Sequence, residues 1–117
     1  MSIKFIKLLI VSVVLSHGSQ AFADWEWYQG KVTAMLIDDS SYGQCMVKVD
    51  NPAVMATCRS TWVSLDCEGN VTPKEVARRM WDTAQMALAM DLDVKIQTTD
   101  TVKLNGYCVG TRVQIAK

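Results

Sequence analysis

The chain has 117 residues, half of them apolar, with twelve Lys and Arg balanced by twelve Asp and Glu, four cysteines and one histidine. Because positive and negative residues are equal in number, the chain lacks the excess of positive charge that is typical of nucleic-acid-binding proteins. The single histidine, His17, lies in the export segment predicted below, so imidazole-dependent catalysis and metal binding are not expected of the rest of the chain.

Residues 1–23 have the pattern of a cleavable signal peptide. Two lysines precede a short apolar run, Leu8 to Leu15, and Ala21-Phe22-Ala23 supplies the small-x-small cleavage pattern. A retained membrane anchor is the alternative, but this run is far shorter than the roughly 20 residues that span a bilayer. No later segment is long and apolar enough to span either. Cleavage after Ala23 predicts a secreted or periplasmic chain with ten Lys and Arg and twelve Asp and Glu.

Two strands open the predicted domain, residues 24–117. Lys31 to Ile37 is apolar and partly β-branched, and turn-forming residues follow at 38–43. Gln44 to Asp50 then alternates between apolar and polar positions. Its predicted inward face consists of Cys45, Val47 and Val49. The two strands are therefore predicted to form a hairpin.

One helix is predicted after these strands. Thr72 is the expected N-cap, Pro73 the first helical residue and Glu75 the second half of a capping box. Apolar residues at helical spacing follow: Val76, Ala77, Met80, Ala84, Ala87 and Leu88. The helix is predicted to end near Asp91.

Further strands are predicted on both sides of the helix. Segments 54–58 and 61–67 precede it as one strand or a strand pair, and 93–98 and 107–115 follow it, separated by a polar loop at 100–106. The resulting order, β-β-β-α-β-β, is mostly β with one helix. It is typical of the OB-fold, a five-stranded Greek-key barrel. A generic α+β sandwich has a similar order and remains an alternative.

All four cysteines follow the predicted signal peptide: Cys45, Cys58, Cys67 and Cys108. An even number in a small exported domain predicts two disulfides. A four-cysteine zinc site is the alternative, but the spacings contain no C-x-x-C pair. The strand order favours pairing Cys45 with Cys58 and Cys67 with Cys108. No metal or other cofactor is expected.

The helix and its surroundings resemble the B subunits of cholera-type enterotoxins. The resemblance lies in Glu75-Val76-Ala77-Arg78-Arg79-Met80-Trp81-Asp82-Thr83, in Ala87 and in Val94, and the export signal and chain length are similar. It implies an OB-fold that assembles as a homopentamer and binds cell-surface glycans. The tryptophan that holds galactose in that family has no counterpart between Val94 and Ile115, so that sugar pocket is not carried over. The subtilase-cytotoxin and pertussis-like B subunits share the OB core with other disulfides and glycan sites.

Candidate binding residues follow from the predicted topology. OB-fold ligands usually contact strands two and three and the loops between strands one and two and between strands four and five. At these positions the chain carries Tyr42, Trp62, Asp100, Lys103 and Asn105. An aromatic ring beside amide or carboxylate groups suits a sugar. The alternative is that these loops are ordinary polar loops and that Trp62 lies in the core.

No catalytic residues are predicted, because Asp38-Asp39 lies in a polar turn and the serines have no histidine partner. Trp81, Met86 and Met90 lie outside the predicted apolar stripe and are candidate oligomer-interface residues, unless loops cover them. We hypothesise a non-catalytic exported domain, a toxin-B-subunit-like oligomer that recognises glycans. The alternative is a monomeric periplasmic interaction protein, such as an inhibitor or immunity factor.

Overall fold

The computed structural model describes residues 25–51, 57–59 and 61–116. The predicted signal peptide, residues 1–23, and residues 54–56 of the predicted third strand lie outside the described residues. Within the described ranges the chain is mostly β with one helix, which confirms the predicted class. The elements are β1 (Trp25–Ile37), β2 (Cys45–Val49), β3 (Trp62–Ser64), α1 (Lys74–Met90), β4 (Asp93–Leu104) and β5 (Tyr107–Ala116). No helix in these ranges has the length and apolar character needed to cross a membrane.

The five strands form one sheet that closes into a ring. Neighbouring strands follow the order β1-β2-β3-β5-β4, and β4 pairs again with β1. The β3–β5 contact is parallel, and the other pairs are antiparallel. β1 closes the ring because residues 25–31 pair with β4 and residues 32–37 run beside β2.

Apolar side chains from alternate strand positions fill the interior. Val47 and Val49 of β2 and Val94 and Ile96 of β4 are fully buried, as the alternation predicts. α1 packs against the same core through a stripe of Ala77, Met80, Ala84 and Ala87. The predicted stripe was too wide, because its two edge residues, Val76 and Leu88, remain exposed.

The start of α1 differs from the prediction. Pro73, with ψ of 134°, is the N-cap residue and makes no side-chain capping bond. Thr72 is not the N-cap, because the first helical hydrogen bond runs from the Ala77 N–H to the Pro73 carbonyl at 3.0 Å. The Thr72 backbone N–H donates to the buried carboxylate of Asp66 at 2.8 Å. The same carboxylate accepts the backbone N–H groups of Asn70 and Val71 at 3.1 and 2.5 Å. The other end agrees with the prediction, since Asp91 ends the helix in the left-handed conformation.

Both disulfides are present, but the predicted pairing is wrong. The bonds join Cys45 to Cys67 and Cys58 to Cys108. Cys67 follows β3, whose antiparallel pairing with β2 returns the chain to Cys45, where Leu65 N–H donates to the Cys45 carbonyl. Cys58 instead lies beside the β4–β5 connection and therefore reaches Cys108.

The β4–β5 connection is shorter than predicted. The expected polar loop at 100–106 is mostly strand, because β4 continues to Leu104 and only Asn105-Gly106 form the turn. Both turn residues have positive φ, 52° and 83°, as a two-residue hairpin turn with strand-matching twist requires. β1 is likewise longer than predicted and begins at Trp25 rather than Lys31, because its first residues pair with β4.

The burial pattern of α1 predicts that alanine substitution of two methionines in this helix will lower the free energy of unfolding by different amounts. Met80 is 6% exposed and packs in the core, whereas Met86 is 53% exposed. We expect Met80→Ala to lower the free energy of unfolding by about 2–4 kcal/mol, because it leaves a cavity. Met86→Ala is the matched control and should change it by less than about 0.5 kcal/mol. Denaturant titration measures both, and equal losses would contradict this facing.

The buried Asp66 carboxylate should stabilise the chain that leads into α1. Asp66→Ala leaves the backbone N–H groups of Asn70, Val71 and Thr72 without their acceptor. We expect a loss of about 2–4 kcal/mol in the free energy of unfolding. Asp66→Asn keeps one acceptor oxygen and similar shape, so its loss should be smaller. Thermal and denaturant unfolding would compare the two, and an Asp66→Ala protein as stable as the wild type would refute this role.

Candidate ligand-binding groove

A small groove opens on the outer surface of the closed sheet, on strands β1, β2, β3 and β5. Its volume is about 170 Å³. Its lining residues are Leu36, Tyr42, Met46, Trp62 and Tyr107, and we call it the aromatic groove. Met46 is on the outward face of β2 but almost fully buried, because the rest of the groove covers it.

Two tyrosines form one wall of the aromatic groove. The rings of Tyr42 and Tyr107 meet edge to face, with centroids 5.3 Å apart and planes 89° apart. The Arg59 guanidinium carbon lies 5.4 Å from the centre of the Tyr107 ring, which is cation–π distance. The groove therefore combines aromatic surface with one nearby positive charge.

The loop that carries Tyr42 is held by specific contacts. The Ser64 hydroxyl on β3 donates to the Tyr42 carbonyl at 2.6 Å. Gly43 has φ of 75°, and a Cβ there would lie 2.7 Å from a Leu104 methyl and 2.8 Å from the Ser64 hydroxyl. Only glycine fits this close approach without displacing its neighbours. Tyr42 is therefore presented by a fixed backbone.

The structure brings together two of the five predicted binding residues and separates the other three. Tyr42 and Trp62 line the aromatic groove. Asp100 accepts a hydrogen bond from the Thr57 hydroxyl, and the Lys103 ammonium donates to the Thr57 carbonyl, each at 2.6 Å. Asn105 is an exposed residue of the β4–β5 turn.

Asp100 and Lys103 hold a segment rather than line the groove. Their bonds to Thr57 act with the Cys58–Cys108 disulfide and with the bond from Arg59 N–H to the Gly106 carbonyl at 2.9 Å. Together these contacts dock residues 57–59 against the β4–β5 hairpin. The docking places the Arg59 side chain over Tyr107.

Sequence reasoning missed Leu36, Met46, Arg59 and Tyr107. Tyr107 had a usable signal, since Asn-Gly between two apolar runs is the strongest short-range indication of a two-residue hairpin. The predicted last strand already began at Tyr107, but its ring was not assigned to the ligand-binding face. Arg59 had no such signal, because its position depends on a disulfide and on contacts with distant residues.

The lining chemistry suits binding. None of the five lining side chains is a carboxylate, an imidazole or an amine. Aromatic rings and a thioether offer apolar and π contacts, and the tyrosine hydroxyls can donate or accept hydrogen bonds. Within the described ranges, no three His, Cys, Asp or Glu side chains are grouped as a metal site requires.

The candidate interface residues lie on different parts of α1. Trp81 is partly buried and packs against the core, whereas Met86 and Met90 are 53% and 62% exposed. Trp81 also lines a groove of about 200 Å³ with Ile37, which is 74% exposed, and the Cys45–Cys67 disulfide. Apolar surface therefore flanks the buried stripe of the helix on both sides.

Comparison with protein-family models, curated proteins and solved structures found no match to this chain. The function is therefore inferred from the residues and geometry of the chain itself.

Proposed function

We propose that this protein is an exported, non-catalytic domain of the OB-fold type that binds a glycan through the aromatic groove. The observation that carries the proposal is the meeting of Tyr42, Trp62 and Tyr107 around one open groove on the outer face of β2 and β3. This is the face on which OB-folds usually receive their ligands.

The strand arrangement supports the OB-fold assignment. In the OB-fold a helix lies between the third and fourth strands of a five-stranded Greek-key barrel. Here α1 lies between β3 and β4, and the ring closes in the order β1-β2-β3-β5-β4. β5 lies between β3 and β4 and pairs with β3 in parallel, so the two strands that α1 connects are not neighbours in the ring.

A sugar ring suits the aromatic groove. The flat apolar face of a pyranose can stack on Trp62 or a tyrosine, and its hydroxyls can bond the phenol oxygens. Arg59, held over Tyr107, adds a donor at the rim. The absence of carboxylate and imidazole from the lining favours recognition over hydrolysis of that sugar.

The proposed protein is exported and assembles as an oligomer. Two disulfides suit an oxidising compartment, as the predicted signal peptide implies. The exposed Met86 and Met90 on one flank of α1, and Ile37 with Trp81 on the other, support a head-to-tail contact between copies. A head-to-tail contact that closes produces a symmetric oligomer, and the toxin-B resemblance favours a homopentamer.

Glycan binding can be tested with a glycan array and with titration of the best glycan. We expect Tyr42→Ala and Trp62→Ala to weaken binding about 3- to 10-fold each, because each removes an aromatic contact. Trp25→Ala is the matched control, since Trp25 is exposed on β1 outside the groove. Binding that is absent in the wild type, or equal in wild type and groove variants, would contradict the proposal.

Oligomerisation can be tested by light scattering at micromolar concentration. We expect a mass well above that of one chain for the wild type, and dissociation by Met86→Glu, because a buried unpaired charge is costly. Gln85→Glu, an exposed position on the same helix, is the control and should leave the oligomer intact. A wild-type monomer would contradict the pentamer and favour the alternative, a monomeric periplasmic inhibitor or immunity factor.

A further inference from the structure

A second and larger groove lies on the outward face of β1, β4 and β5. Its volume is about 430 Å³, and Trp27, Gln29, Lys95 and Gln114 contribute to its lining. Strand register arranges this face in two adjacent rows, each crossing all three strands. The rows are Trp27–Gln97–Arg112 and Gln29–Lys95–Gln114, and we call the six residues the amide face.

The amide face carries two positively charged side chains, Lys95 and Arg112. Among the described residues, neither Lys95 nor Arg112 forms an ion pair. The Arg112 guanidinium carbon lies 5.6 Å from the centre of the Trp27 ring, at cation–π distance. Trp27 itself is 40% exposed. A cation held over an exposed indole is therefore available to an anion from solvent.

Asp93 is the acidic residue nearest to the amide face in the strand register, and it already bonds other side chains. Asp93 forms an ion pair with Lys31 at 3.2 Å and accepts a hydrogen bond from the Gln29 amide at the same distance. The bonds from Gln29 and Lys31 lower the pKa of Asp93, so its carboxylate stays ionised and paired with Lys31. The hydrogen bond to Asp93 also fixes the Gln29 side-chain amide, which leaves its Oε1 to accept from a ligand.

We propose that the amide face is a binding site for a carboxylate-bearing sugar. The sugar ring would stack on Trp27, Lys95 and Arg112 would bind the carboxylate, and the amides of Gln29 and Gln114 would bond ring hydroxyls. This site is separate from the aromatic groove and does not depend on its function.

The chemical groups of the amide face together favour a carboxylate-bearing sugar. A neutral sugar would leave both cations unused, and an inorganic anion would leave the indole and the amides unused. A carboxylate-bearing ring satisfies the aromatic surface, the cations and the hydrogen-bonding amides together.

Two matched glycosides test the proposal. Methyl β-D-glucuronide and methyl β-D-glucoside differ only at C6, where the first carries a carboxylate. We expect NMR titration of the isotope-labelled, disulfide-bonded protein to shift the Trp27 indole and Gln114 amide signals. The glucuronide should bind about tenfold more tightly than the glucoside, the effect of one charge-assisted hydrogen bond.

Substitutions on the amide face test whether its residues cause the preference for the glucuronide. Lys95→Gln and Arg112→Gln should each remove most of the preference for the glucuronide, and Trp27→Ala should weaken both glycosides. Lys48→Gln, an exposed lysine on β2 outside the amide face, is the control for the change in charge and should keep the preference. Trp62→Ala should also leave it unchanged, which separates this result from a failure of the aromatic groove.

Three results would overturn the proposal. The first is no shift with the glucuronide at any concentration that the protein tolerates, and the second is equal binding of the two glycosides. The third is competition by sodium acetate at the same concentration as the glucuronide, because the site would then recognise only the charge.

Discussion

The fold depends on the division of β1 between two partners. Residues 25–31 pair with β4 and residues 32–37 run beside β2, so a single strand closes the sheet. At the change of partner, the Lys31 backbone N–H donates to the Asp50 carboxylate at 2.7 Å, and the Asn51 side-chain amide donates to the Gln29 backbone carbonyl at 2.7 Å. A Cβ on Gly30 would lie 2.5 Å from that carboxylate, so glycine permits the close approach.

Closure also decides where a ligand can bind. Within the described ranges the interior is filled by side chains such as Val47, Val63 and Ile96, which have no exposed surface. Binding surfaces must therefore lie on the outside of the sheet. The long β1 contributes to both of them, because its N-terminal half carries Trp27 and its C-terminal half carries Leu36.

The outer surfaces are held by contacts with residues far away in sequence. The Cys58–Cys108 disulfide and the bonds of Thr57 to Asp100 and Lys103 dock a segment outside the sheet, and that segment supplies Arg59. The entry to α1 is held locally instead, because the Asp66 carboxylate accepts the backbone N–H groups of Asn70, Val71 and Thr72 and takes the place of a conventional cap. Polar side chains here position backbone, and aromatic side chains form the surface that a ligand would meet.

Local sequence patterns were sufficient for much of the fold. The mostly-β class with one helix, the first hairpin and the end of α1 near Asp91 were predictable, because alternation, helical spacing and turn residues act over a few positions. Tyr42 and Trp62 were candidates for a different reason, because the predicted OB-fold topology puts the loop after the first strand and the third strand where such folds usually bind ligands. The burial of Met80 also followed from its helical spacing.

Tertiary structure alone decided the rest. The cysteine pairing, the N-terminal part of β1 and the position of Arg59 all depend on which distant segments meet. The disulfides join residues 22 and 50 positions apart, and the Lys31–Asp50 contact joins residues 19 apart. Periodicity carries no information about such partners. The sequence by itself determined which elements form, and closure of the sheet determined which residues share a surface.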